Sequence, residues 1–140
     1  MNNELSALYT IGAANEGCAV PIVNPATGIE TGLVIHVLGK DSDEFKRVQN
    51  AQNKKRLDRM TKGGFRNPNL TPEEQERDGI ELLAACTKSW AFNGNPIIPG
   101  PNGEELACNH DNVVLFYKAS PATKEQIDTA IGDRANFIKA

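Results

Sequence analysis

The chain has 140 residues, 39% of them hydrophobic and 24% charged, with a net charge of −3. That is an ordinary globular composition, long enough for one domain that buries a core without disulfides. No apolar run approaches the roughly 20 residues of a bilayer span, and Met1-Asn-Asn-Glu-Leu5 lacks the basic start and apolar segment of a signal peptide. The three cysteines, Cys18, Cys86 and Cys108, are odd in number and widely spaced, as in a reducing cytoplasm and not in a disulfide framework. Residues 1–66 carry nine Lys/Arg against seven Asp/Glu, and residues 67–140 six against eleven. The balance argues against a general nucleic-acid binder and suits a bipolar surface that meets protein partners.

Residues 1–40 form an N-terminal segment. Leu5, Leu8 and Tyr9 fall on one side of a short helix within Asn2–Ala14, interrupted by Gly12. Two β-branched stretches, Gly17–Val23 and Ile29–Leu38, flank Asn24-Pro-Ala-Thr-Gly28, whose Pro25 presets φ and whose Gly28 tolerates positive φ. This predicts a β-hairpin. Leu33, Ile35 and Val37 share one face, and Val34, His36 and Leu38 the other, so neither face is freely solvated. Pro21 removes a donor and places the first strand at an edge or beside a bulge. A two-strand ribbon is marginal in water and must dock on helices or another subunit.

Asp41-Ser-Asp-Glu44 has capping-box spacing and opens a basic helix over 41–62. Its second half carries Lys54, Lys55, Arg56 and Arg59 with only Leu57 and Met60 as anchors, so it projects into water over part of its length. Residues 63–70, with Gly and Pro punctuation, form a linker. The chain is organised around Thr71–Trp90, the central helix: Thr71 caps it, Pro72 takes its first position and acidic residues fill its first turn. Ile80, Leu83, Ala84 and Thr87 recur at helical spacing, with Leu82, Cys86 and Trp90 widening the stripe. Gly79 costs about 1 kcal/mol there relative to Ala. A Pro/Gly-rich loop follows at 93–103, with a short extended piece at Pro96–Ile98. Asn109 caps a helix carrying Val113, Val114, Phe116 and Tyr117. Ser120-Pro121 restarts a last one, with Ile127, Ile131, Ala135 and Ile138 inward, reaching nearly to Ala140. The sum is an α+β fold, mainly α-helical, with an N-terminal β-hairpin packed on a bundle of about four helices in residues 71–140 and the basic helix.

Groups for catalysis are sparse. His36 alternates with apolar neighbours, as a structural histidine does. Cys108-Asn-His110 is short of the ligand number and spacing of a metal site. There is no phosphate-binding glycine loop, nucleophile elbow or zinc-protease signature. No catalytic residue, metal or cofactor is expected, and the chemistry points to a binding protein.

Three stretches go further in combination: Asn24–Gly32 leading through a strand to Gly39–Phe45, then Gly79–Trp90, then Ile127–Phe137. Their order and spacing resemble the tail assembly chaperones of long-tailed bacteriophages and prophages over residues 15 to 138. The resemblance implies a non-enzymatic protein of the host bacterial cytoplasm. It would bind the hydrophobic, helical tape measure protein, keep it soluble, help recruit tail tube subunits, and be absent from the finished particle. The better-known members are mostly helical, so the hairpin departs from them. On this reading an apolar groove lined by Leu83, Trp90, Phe92, Phe116 and Tyr117 accepts amphipathic client helices. The hairpin edge at Val20–Val23 offers a homo-oligomer contact, and Lys54, Lys55, Arg56 and Arg59 face an acidic neighbour. Taken singly, each of these apolar residues is better accounted for by core packing. The alternatives are a structural tail component of terminator or tube type, and a nucleic-acid-binding regulator using the helix around Lys54–Arg59.

Overall fold

The structure, a computed structural model, describes residues 4–62 and 71–138; the linker predicted at 63–70 lies outside the described residues. The fold is α+β. The described residues form five α-helices, α1 (Thr10–Glu16), α2 (Asp43–Lys62), α3 (Pro72–Ala85), α4 (His110–Ala119) and α5 (Pro121–Gly132). Three antiparallel strands, β1 (Cys18–Val23), β2 (Glu30–Val37) and β3 (Thr87–Phe92), lie in the order β1-β2-β3. A two-strand ribbon joins β4 (Ile98–Pro99) to β5 (Glu105–Leu106). A 3-10 turn precedes α1 at Glu4–Leu8 and another follows α5 at Arg134–Asn136.

The hairpin forms where the turn chemistry places it, with β1 at the sheet edge and an irregularity between Pro21 and Val23. Alternation sends Leu33, Ile35 and Val37 into the core and leaves Val34 37% exposed. The second face is therefore more open than its apolar residues suggest, although His36 Nε2 lies 3.0 Å from the Glu16 carbonyl at the end of α1.

The largest departure from expectation lies at the end of the central helix. It starts as predicted, with the Thr71 hydroxyl accepting from the Glu74 N–H and Pro72 in its first turn. It stops at Ala85, and Thr87–Phe92 is a strand paired with β2. Val37 faces Thr87 while His36 faces Ser89, so Lys88 is an extra residue on β3. This bulge turns both Thr87 and Trp90 inward although they are three apart. The same spacing is that of a helix face, which is why periodicity extends the helix too far.

Smaller departures share a cause: a side chain finds a tertiary partner that local pattern does not show. The Ser42 hydroxyl, not Asp41, accepts from the Phe45 N–H at the start of α2. Asp41 instead takes the Thr10 hydroxyl at 2.5 Å and Arg134 at 2.6 and 2.9 Å. α5 ends at Gly132, where Asp133 caps the following 3-10 turn by accepting from the Ala135 N–H. Ala135 is exposed, and Phe137, not Ile138, is the buried anchor.

The core lies between the sheet and α3, α4 and α5. Ile35, Val37 and Trp90 meet Ile80, Leu83, Val113, Tyr117, Ile127 and Ile131, all nearly inaccessible. Within it the Tyr117 hydroxyl lies 2.6 Å from Thr87 Oγ1, which donates to the Leu83 carbonyl at 2.9 Å. Buried polar groups are tolerated when paired in this way.

Candidate apolar docking groove

A groove of about 340 Å³ opens where the end of the hairpin, the β3–β4 segment and the α4–α5 junction meet. Ile22, Leu33 and Ile98, themselves buried members of the core, form its apolar base, half-buried Phe92 and Phe116 complete the apolar lining, and Pro25, Ala122 and Gln126 lie along it. Local sequence accounts for part of this. Alternation in β1 and β2 turns Ile22 and Leu33 inward, and Ile98 sits on the ribbon strand opposite Leu106. The Ser120-Pro121 break between α4 and α5 presents the small side chains Ser120, Ala122 and Thr123, so the space stays open.

Most of the lining's polar side chains are already engaged. Thr31 Oγ1 donates to the Ile22 carbonyl at 2.8 Å, and the Ser120 and Thr123 hydroxyls lie 2.7 Å apart. Gln126 Nε2 donates to the Val23 carbonyl, and the Val23 N–H donates to Gln126 Oε1, each at 2.9 Å. No charged side chain lines the groove among the described residues. A ligand here gains by burying apolar surface, at about 25 cal/mol per Å², and not by recognising charge. A second hollow of about 520 Å³ runs between β1 and α5 and shares Val23, Pro25, Ala122 and Gln126 with the first.

Of the five apolar residues predicted to line a groove, Phe92 and Phe116 do so. Leu83, Trp90 and Tyr117 are core residues, 4%, 3% and 0% exposed. Trp90 and Tyr117 act from behind. The Trp90 indole meets the Phe116 ring edge-on with centroids 5.5 Å apart, and Tyr117 packs at 6.2 Å. Sequence reasoning missed Ile22, Leu33, Ile98 and Gln126 as lining residues. The turn proline and the helix break on either side were the available signals, but only tertiary structure brings them together.

The hairpin edge is a poorer contact for a second copy than its sequence suggests. In an antiparallel edge strand, alternate residues turn their main-chain groups outward. Val23 is one, and Gln126 occupies both its groups. Pro21, two residues earlier, has no N–H to offer.

The basic residues divide. Residues 53–61 are exposed along α2, as expected for a helix projecting into water. Arg59 pairs with Glu74 of α3, which holds that carboxyl below its ordinary range. Lys55, Arg56 and Arg59 line a polar hollow between α2 and α3 together with Arg77, Asp78 and Glu81, and Lys54 lies outside it.

His110 Nε2 lies 2.9 Å from Glu81 Oε2 on the surface. All three cysteines are free thiols, and burial raises each above its ordinary value, Cys86 to about 11. Among the described residues no three His, Cys, Asp or Glu side chains converge, and no helix is long and apolar enough to cross a membrane. Comparisons with protein-family models, curated proteins and solved structures find no match.

Proposed function

We propose that this protein is a tail assembly chaperone of a long-tailed phage or prophage. It acts without catalysis in the bacterial cytoplasm, binding apolar faces of the tape measure protein and helping recruit tail tube subunits. The sequence resemblance supplies the family. The groove is the observation that carries the binding role. A cleft lined by Ile22, Leu33, Phe92, Ile98 and Phe116, with its neighbouring polar side chains paired internally, suits large apolar side chains repeating along an amphipathic helix. About 340 Å³ is near the lower end of ligand pockets, roughly 300–1,000 Å³, so each copy takes a few anchor side chains and a long client engages many copies.

The test is co-expression with the long tape-measure-like product of the neighbouring gene, followed by solubility measurement and pull-down. The wild-type chain is expected to raise the soluble fraction and to co-purify. Ala122→Arg, which places a bulky charge in the groove from a half-buried helix position, is expected to abolish both while keeping native circular dichroism. Equal solubility of the long protein with and without this chain would overturn the reading, and recovery of the chain from purified particles would favour a structural tail component.

A further inference from the structure

We propose that Asn102-Gly103, at the tip of the β4–β5 ribbon, is a self-acting modification site. Its carboxamide is converted to aspartate and isoaspartate, while the fold spares the chain's other Asn-Gly pair, Asn93-Gly94. This property does not depend on what the groove binds.

The chemistry uses the chain and water. Once the Gly103 N–H has lost its proton to solvent base, that nitrogen attacks Cγ of Asn102. The new N–Cγ bond closes a five-membered succinimide, the Cγ–Nδ2 bond breaks, and Nδ2 leaves as ammonia. Water then opens the ring. Cleavage of the N–Cγ bond gives aspartate. Cleavage between the same nitrogen and the main-chain carbonyl carbon of residue 102 gives isoaspartate, with Cβ carried in the main chain. The balance is one water consumed and one ammonia released. Glycine favours the attack because no Cβ crowds its nitrogen.

Both pairs are exposed, so access to solvent does not separate them. Their turns do. Asn93 and Gly94 have φ +49° and +85°. The Phe92 N–H donates to the Asn95 carbonyl at 2.8 Å, and the Asn95 N–H donates back to the Phe92 carbonyl at 3.0 Å. This is a type I′ turn, for which Asn-Gly is a preferred sequence. The Asn93 N–H also donates to the Gly32 carbonyl of β2 at 2.9 Å, and the Asn93 carboxamide fills the space beside Gly32 where a side chain would stand.

Asn102 is held less firmly. Residues 100–103 form a turn closed by one bond of 3.2 Å, from the Gly103 N–H to the Gly100 carbonyl. Pro101 takes the second position and Asn102 the third without positive φ, as in a type I turn. The Asn102 N–H donates to the Glu104 carboxylate at 2.7 Å. Gly103, at φ +82°, has open space around it. Ring closure brings Cγ onto the glycine nitrogen, so each turn must first open. Opening gives up three main-chain bonds at Asn93, against one main-chain bond and one side-chain bond at Asn102. The extra bond and the packing on Gly32 make Asn93 slower by about tenfold or more.

The products alter the ribbon. Aspartate adds a carboxylate beside Glu104 and Glu105, and isoaspartate lengthens the turn by one main-chain atom. Ile98 and Leu106 pair directly behind it, and the Leu106 carbonyl accepts from the Trp90 indole N–H at 3.3 Å. A lengthened turn therefore loosens one wall of the core.

The test is incubation of the purified chain at neutral and mildly alkaline pH, native and in urea, followed by fragment-ion mass spectrometry. Both pairs lie in one tryptic peptide, residues 89–118, so each is read against the other. In the native chain NH is expected to be exchanged for O at Asn102 about tenfold or more faster than at Asn93, at a rate that rises with pH. In urea the two rates are expected to converge, because the difference belongs to the fold. Asn102→Gln, at an exposed position, is expected to keep native circular dichroism and to remove most isoaspartyl labelling of the native chain. No conversion at Asn102 in the native chain, native conversion at Asn93 that equals or exceeds it, or a difference that survives in urea would overturn the proposal.

Discussion

Gln126 meets Val23 as a neighbouring strand would: its carboxamide gives one hydrogen and takes another across two bonds of 2.9 Å. This clasp ties α5 to the edge of the sheet and separates the two hollows that share it. Replacing Gln126 by Ala should cost about 1–2 kcal/mol, two partly buried hydrogen bonds being lost and partly replaced by water. The signature is local: amide exchange at Val23 should accelerate more than exchange at Ile35. Gln126→Glu should behave similarly at neutral pH, because a carboxylate accepts from the Val23 N–H but has nothing to donate to its carbonyl.

Thr87 joins the end of α3 to α4 through the Leu83 carbonyl and the Tyr117 hydroxyl. Thr87→Val keeps the shape and strands the buried Tyr117 hydroxyl, at about 1–3 kcal/mol, while the Leu83 carbonyl keeps the Cys86 N–H at 3.2 Å. Since the Thr87 proton goes to Leu83, the Tyr117 hydroxyl is the donor between the two, and Tyr117→Phe strands only a hydroxyl lone pair. It should cost less than Thr87→Val in the same urea titration.

The same region sets an alkaline limit. Burial raises the Tyr117 phenol well above its ordinary value and pushes the Cys86 thiol from 9.0 to about 11. Both groups hold their protons more tightly in the folded chain. The stability this confers is complete below about pH 9 and is lost as pH rises towards 11. The melting temperature should fall across that window, and Cys86→Ala should flatten its lower part.

At the acid end Asp41 behaves oppositely. Hydrogen bonds from Arg134 and Thr10 lower its carboxyl from 3.8 to about 2. Its contribution is complete above about pH 4 and disappears as pH falls towards 2. Asp41→Asn should be less stable than wild type at pH 7, and the two should converge near pH 2. Arg134→Ala, at an exposed and solvent-screened partner, should destabilise only weakly.

Two glycines of similar φ should respond differently to Ala. Gly28 has φ +72° in open space, so its substitution should cost about 1–2 kcal/mol, the left-handed penalty alone. Gly17 has φ +83°, and a Cβ there runs into the Val37 carbonyl and the His36 ring. Gly17→Ala should therefore be distinctly worse, with perturbed amide shifts at Val37.

Local chemistry was legible wherever a residue acts on its own neighbourhood. The Asn24–Gly28 turn, the Thr71 and Asn109 caps and the Ser120-Pro121 break all announce themselves. The pattern failed where tertiary structure reuses a local signal. The bulge at Lys88 makes a strand imitate a helical stripe, and Asp41 leaves a cap to Ser42 in order to reach Arg134. Phe92 and Phe116 were recognisable as groove residues because they are large and stand on different elements. Leu83, Trp90 and Tyr117 look the same in sequence, and only burial separates them. Ile22, Leu33 and Gln126 enter the groove through strand register and a helix approach that no linear pattern encodes.

The bond between Asp41 and Arg134 spans 93 positions. At a synthesis rate of about 5–20 residues per second, the aspartate waits roughly 5–20 s for its arginine to be made. For most of that interval the nascent sheet lacks α4 and α5, and the apolar side of Ile35, joined about midway by Trp90, is bare. On the ribosome, then, the sheet itself stands in need of shelter until α4 and α5 close over it.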